Sequence, residues 1–162
     1  MTRAQPTETV IILLRHGSAV ASHPNGDRER PLAKGARERI RAVARALASH
    51  VPTRALISPA RRTRETFEAF AEEYGTIDVE MDEAIYNASL DTLLSLPALS
   101  AGGTALLIGH NPGISATAQA MSGGCYSGIM APADAVVIAW DPATSTGRLV
   151  ETLRAAQMPR PD

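Results

Sequence analysis

Apolar positions along this chain follow two rhythms. Val10-Ile-Ile-Leu-Leu14 and Ala105-Leu-Leu-Ile108 are uninterrupted runs, the pattern of strands buried on both faces of a parallel sheet. Ala55-Leu-Ile57 is a shorter run of the same kind, and Ile77 to Met81 predicts a further strand. Between these runs the spacing turns helical. Within residues 31–49, Ala36, Ile40, Val43 and Leu47 fall on one face. Thr63, Phe67, Phe70 and Tyr74 share a stripe that Gly75 ends, with Ser58 predicted as the cap and Pro59 as the first helical residue. Another helix is predicted from near Ser89 to about Pro97, and one from about Gly113 to Met121, stopped by Gly123-Gly124. Ala135 to Trp140 and Arg148 to Leu153 predict two last strands, joined through Asp141-Pro142 and able to pair as a hairpin. The alternation predicts an open α/β sandwich with helices on both faces of a mostly parallel sheet.

Length and composition narrow the picture. A chain of 162 residues suits one domain over 1–162, with its core at about 9–154. Apolar residues make up 44% and charged residues 20%, and only 4% are aromatic, so the core is aliphatic. A formal net charge of -1 provides no global field for nucleic acid or an anionic membrane, and neither is an expected partner. The arginines from Arg28 to Arg45 alternate with Glu29 and Glu38, which reads as a solvated helix face. Cys125 is the only cysteine, so neither an internal disulfide nor a thiolate metal cluster can form. The segment MTRAQPTETV lacks the apolar stretch of a signal peptide, and Val10–Leu14 is too short to span a bilayer. The default expectation is a cytoplasmic setting.

The chemistry collects where strands end. In open α/β sheets ligands bind beyond the carboxyl ends of the strands. The first strand is followed by Arg15-His16-Gly17, the second by Ser58 and then Arg62, and the Ala105–Ile108 strand by Gly109-His110-Asn111-Pro112-Gly113. Two histidines and two arginines are thereby directed to one rim. Arg15 and Arg62 each carry five donors in a planar fork suited to phosphate oxygens. The helix opening after Asn111 offers free N–H groups to an anion, and Gly17 lets the backbone come close to a ligand. A neutral imidazole among these cations can attack phosphorus and divide one difficult displacement into two easier ones. The second imidazole can stabilise charge on the non-bridging oxygens.

These residues carry a resemblance. Leu14-Arg15-His16-Gly17 resembles the Arg-His-Gly signature of the histidine phosphatase superfamily, which includes the cofactor-dependent phosphoglycerate mutases. Ser58-Pro59 with Arg62, Thr66 beyond it, and the Gly109–Gly113 segment are similar to its companion motifs. Short length, the Gly-His-Asn-Pro form and Arg30-Pro31-Leu32 before Gly35 most resemble the SixA-type phosphohistidine phosphatases. The resemblance spans roughly Val10 to Trp140. It implies a phosphoglycerate mutase-like three-layer α/β/α sandwich and a phosphatase with no metal and no cofactor. It also implies His16 as nucleophile, Arg15 and Arg62 as phosphate clamps and His110 as the second imidazole.

The chain departs from that pattern at three places. Ser18 stands where SixA-type members usually carry Asp, and Ala33 stands where Thr or Ser is usual. Asn111 follows the second histidine where acid phosphatases place an acidic proton donor, which leaves Glu83 as the remaining candidate acid. Without a strong acid the preferred leaving group is one that needs little protonation, such as the imidazole of phosphohistidine. The candidate site therefore comprises Arg15, His16, Arg62 and His110 as catalytic groups, with Gly17, Ser18, Arg30, Asn111 and Glu83 about the substrate. The expected partner is a phosphorylated substrate, either a phosphohistidine protein or a small phosphate compound. Two other readings stand beside the phosphatase: a phospho-ligand-binding regulatory protein without turnover, and a small-molecule phosphomonoesterase or mutase. Ser58 alone reads as a cap, and His23, His50, Arg61, Arg64 and Cys125 read as bystanders.

Overall fold

The computed structural model describes residues 8–159. Most of the N-terminal segment read for a targeting signal, residues 1–7, lies outside them, as do residues 160–162 of the expected domain. Six strands form one sheet: β1 (Thr9–Arg15), β2 (Arg54–Ile57), β3 (Asp78–Met81), β4 (Thr104–Gly109), β5 (Ala135–Asp141) and β6 (Thr146–Leu153). Their order is β3-β2-β4-β1-β5-β6. β1, β2, β3 and β4 pair in parallel, whereas β5 runs antiparallel to both β1 and β6. The four longer helices are α1 (Ala36–Ala46), α2 (Arg61–Ala71), α3 (Leu90–Leu94) and α4 (Gly113–Met121).

Alternate residues of the central strands enter two separate cores, as the period of two requires. Ile12 and Leu14 pack with Ile40 and Val43 from α1, Leu47 at its end, and Phe70 from α2. Ile11 and Leu13 pack with Leu93, Ile114, Met121 and Trp140 on the other face. Both cores are needed to bury β1, and each fully buried Ile or Leu contributes about 1.5–3 kcal/mol. The result is the α/β/α sandwich, with α1 and α2 on one side and α3 and α4 on the other. No helix among the described residues is long and apolar enough to cross a membrane.

Three local readings are corrected. The first helix starts at Ala36 rather than near residue 31. Leu32 instead bridges Ala19, and Gly35 takes a left-handed φ of 86° that admits glycine without strain. Ser58 does not cap α2 from the position before Pro59; Ala60 is the cap and Arg61 the first helical residue. The Ser58 hydroxyl accepts the Ala60 N–H and is otherwise turned to the site described below. The third strand is an exposed edge beginning at Asp78, while Ile77 is buried just before it. In contrast, Ser89 caps its helix by accepting the Thr92 N–H, and Gly123 and Gly124 follow α4 with positive φ.

The arginines of α1 meet acids on α2 and just after its end. Arg41 pairs with Glu72 at 2.5 Å, Arg45 with Glu73 at 3.1 Å, and Arg37 with Glu65 and Glu68 at 3.7 Å. Such exposed pairs add little stability individually, but they neutralise the basic face that the sequence presents.

The start of α4 is pinned to the chain before α3. A Cβ built on Gly113 would collide with the Ala88 carbonyl, a backbone atom that cannot rotate away. Gly113→Ala is therefore expected to cost about 1–3 kcal/mol through overpacking. A drop in the urea midpoint with an unchanged m-value checks this; an unaltered midpoint contradicts it.

Candidate active site

Register delivers the candidate residues to one place. In the β1–β4 pair Arg15 stands opposite Gly109, and in the β2–β4 pair Ile57 stands opposite Ile108. The next residues, His16, Ser58 and His110, therefore leave three adjacent strands at nearly one level. The His16 N–H reaches the Gly109 carbonyl at 3.3 Å, and the Ser58 N–H reaches the Ile108 carbonyl at 3.4 Å. The two imidazole centroids lie 5.2 Å apart. Arg15, His16, Ser18, Arg30, Arg62, His110 and Asn111 line one polar pocket of about 600 Å³ together with Ala19, Asp27, Tyr86, Asn87 and Pro132.

Hydrogen bonding assigns both tautomers. His16 Nδ1 lies 2.8 Å from the Gly17 carbonyl, which only accepts, so Nδ1 holds the proton. Nε2 of His16 is left with a free lone pair. Arg62 Nη2 lies 3.3 Å from Nδ1 of His110. A guanidinium has no acceptor, so that nitrogen accepts and Nε2 of His110 carries the hydrogen, donated to Ser58 Oγ at 2.7 Å. The orienting hydroxyl of Ser58 thus comes from the residue read from sequence as a cap.

Both rings stay neutral at ordinary pH. Burial first, and then the nearby Arg62, Arg15 and Arg30 charges, depress His16 to about 4 despite its bond to Gly17. His110 is pushed to about 3 by burial, with His16 and Arg62 adding to the depression. Arg15 Nη1 donates to the Met130 carbonyl at 2.9 Å, and burial lowers its pKa. Arg62 is 4% exposed, an unusual place for a cation unless a partner is supplied.

That partner is Asp27, which sequence reasoning missed. Its carboxylate lies 3.1 Å from Arg62 Nη2 and 2.9 Å from Arg30 Nε, and its main-chain carbonyl accepts from Arg62 Nη1 at 2.9 Å. The Tyr86 hydroxyl also donates to it. Tyr86, followed by Arg30 and Arg62, draws the Asp27 carboxyl down to about 2, so it is ionised. No sequence signal singled it out, because an Asp in the polar loop 21–29 reads as solvated. Tyr86 was equally hidden, lying 59 residues away from Asp27 along the chain.

Other expected residues land differently. Glu83 does not join the pocket lining: its side chain is 69% exposed and pairs with Arg28 at 2.6 Å. That bond lowers its pKa, which makes it a poor proton donor. Gly17 faces the core rather than a ligand. A Cβ there would stand 2.8 Å from Ile40 Cδ1 and 3.3 Å from Leu32 Cδ2, and the Gly17 N–H donates to Thr66 Oγ1 at 3.0 Å. Asn111 reaches the pocket, but its Nδ2 donates to the Met130 carbonyl at 2.9 Å and its Oδ1 accepts from Ser115. Pro112 and Gly113 are not among the lining residues, so the opening of α4 supports the pocket from behind instead of facing a ligand.

The family model for the histidine phosphatase superfamily (branch 1) matches residues 11–119, well over half of the chain, a span that includes Arg15, His16, Arg30, Arg62 and His110 of the pocket. The chain belongs to the histidine phosphatase superfamily. A SixA protein from Agrobacterium tumefaciens, assigned as a phosphohistidine phosphatase, is 28% identical, with a TM-score of 0.75 over 92% of this chain and 98% of that one. The protein histidine phosphatase SixA in complex with tungstate has a TM-score of 0.80 at 19% identity, over 92% of this chain and 97% of its own. A mycobacterial glucosyl-3-phosphoglycerate phosphatase shares the fold at 17% identity and a TM-score of 0.64, over 91% and 99% of the two chains. No curated protein matches the sequence closely enough to count as a relative. This superfamily fold is therefore the mixed, mostly parallel sheet described above.

The depressed histidines set a stability window. A His with a folded pKa below its unfolded value binds fewer protons when folded, so stability is intact above about pH 6.5 and falls as pH drops toward the folded pKa. Stability is expected to decline from about pH 6.5 to the values of about 4 and about 3 held by His16 and His110. His110→Gln should flatten that decline in urea titrations between pH 7 and pH 4. An equally steep decline in the variant contradicts the assignment.

Proposed function

We propose that this histidine phosphatase superfamily member is a phosphatase that carries the phosphoryl group on Nε2 of His16, needs no metal, and acts on phosphohistidine in a protein. The observation that supports this most is the tautomer of His16, neutral and with its lone pair free beside Arg15, Arg62 and His110. Nε2 attacks phosphorus as the bond to the leaving group breaks. Water then attacks the phosphohistidine, releasing inorganic phosphate and restoring the lone pair. The proton stays on Nδ1 throughout, donated to the Gly17 carbonyl.

Arg15 and Arg62 hold the equatorial oxygens where charge gathers, the main way a protein assists phosphoryl transfer. His110 first orients Arg62. A bound dianion opposes the depression of its pKa, and a proton then taken up at Nδ1 gives the ligand another donor. The substrate preference follows from the acids. Asp27 is the carboxylate in the pocket and is ionised, and Glu83 is held outside by Arg28. Neither can protonate an alkoxide at neutral pH, whereas a departing imidazole needs far less help. The likeness to SixA proteins assigned to phosphohistidine points the same way.

Two measurements test the reading. A quenched reaction with a phosphohistidine peptide should leave an acid-labile, alkali-stable phosphoryl adduct. His16→Ala should abolish it and lower kcat/KM by ~10³-fold or more. Arg62→Ala should lower kcat by ~10²–10³-fold. An undiminished adduct in His16→Ala places the nucleophile elsewhere. Separately, kcat/KM for an aryl phosphate should exceed that for an alkyl phosphate by ~10²-fold or more, the size of the missing acid's contribution. Equal values refute the leaving-group argument.

A further inference from the structure

The charge balance of the pocket is settled by a residue of the chain itself. Arg62 spends one hydrogen from each terminal nitrogen on Asp27, giving Nη1 to its carbonyl at 2.9 Å and Nη2 to its carboxylate at 3.1 Å. The second hydrogen of Nη2 faces Nδ1 of His110 at 3.3 Å. Arg62 Nε is sealed from solvent without a partner, so it cannot take up the slack. Asp27 therefore already engages both terminal nitrogens that a phosphate would use, Nη1 through its main-chain carbonyl and Nη2 through its carboxylate. The same carboxylate also holds Arg30 Nε at 2.9 Å and accepts from the Tyr86 hydroxyl.

We propose that Asp27 is a specificity-determining residue, an internal competitor whose carboxylate occupies the Nη2 arm of the Arg62 clamp until a ligand of greater charge displaces it. The proposal rests on the reading of this pocket as a phosphoryl site. A carboxylate ligand brings the same chemistry as Asp27, and loses to it because Asp27 is tethered at high effective concentration. A tetrahedral dianion brings a second charge and more acceptor oxygens, and it also engages Arg15. The pocket thus selects phosphoryl groups against the carboxylates that surround them in any protein or metabolite.

Asp27 lies on a short 3-10 turn, Asp27–Glu29, and its side chain is 49% exposed. It can withdraw without opening either core. Tyr86 keeps it in place: its ring stands edge-on to His110 at 5.5 Å and carries the Arg28 guanidinium over its face at 4.4 Å. A purely positioning role for Asp27 makes the opposite prediction, because its loss would then disorder Arg62 and weaken every anion.

Isothermal titration with sodium tungstate, and separately with sodium acetate, decides between these roles in the intact chain. Asp27→Asn should bind tungstate ~5-fold tighter or more and gain measurable affinity for acetate. Tyr86→Phe, which frees the carboxylate without removing it, should tighten tungstate by a smaller factor. Unchanged or weaker tungstate binding by Asp27→Asn overturns the competitor role. Should that variant prove unstable, the sign of the Tyr86→Phe shift decides, with unchanged or weaker binding counting against. Tungstate binding that is lost in Arg62→Ala but not improved in Asp27→Asn sinks the competitor alone. Failure of the native protein to bind tungstate sinks the phosphoryl site with it.

Discussion

The site depends on the register of three parallel strands. With Arg15 opposite Gly109 and Ile57 opposite Ile108, the chain leaves β1, β4 and β2 at one level of the sheet. A slip of one residue would turn Ile12 and Leu14 out of one core and into the other, and would carry His16 to the wrong side of the sheet. The two-sided burial of β1 therefore secures the geometry of the imidazoles. Packing far below the pocket and chemistry at its floor rest on the same alignment.

Charge within that pocket is arranged locally. Outside it, arginines of α1 are matched by glutamates at and just beyond the end of α2, so their field does not extend far. Inside it, Arg15, Arg30 and Arg62 share the pocket with one carboxylate, Asp27, and two imidazoles are kept neutral first by their burial and then by the charges beside them. These are the conditions the proposed nitrogen nucleophile needs: positive charge close by to attract a phosphoryl group, and burial that, together with that charge, keeps the ring unprotonated.

Family membership narrows the chemistry but leaves room within it. The neighbours of similar fold include both SixA proteins and a phosphatase of a small sugar compound. In the function proposed for this chain, substrates are separated by the supply of protons and by competition at the clamp, both of which turn on acidic residues near the rim. In this chain Asp27 faces the arginines as a carboxylate while Glu83 is drawn away by Arg28. In the proposed function the acids shape which phosphoryl groups are accepted, while the basic residues carry the reaction.

The sequence alone determined the strands, the two core faces and the four basic residues at the strand ends. Its continuous apolar runs can be satisfied only by two-sided burial, and residues that follow such strands must emerge at one edge. It misplaced the start of the first helix, because Ile40, Val43 and Leu47 extend their periodicity back past Gly35, whose left-handed turn leaves no apolar trace. Tertiary structure alone decided the rest: the tautomers, the service of Ser58 to His110, the withdrawal of Glu83, and the placement of Asp27 and Tyr86. Each of those is a contact between segments distant along the chain. Hydrophobic periodicity encodes which face of an element is buried, but it carries no information about which polar side chain from another loop arrives to meet it.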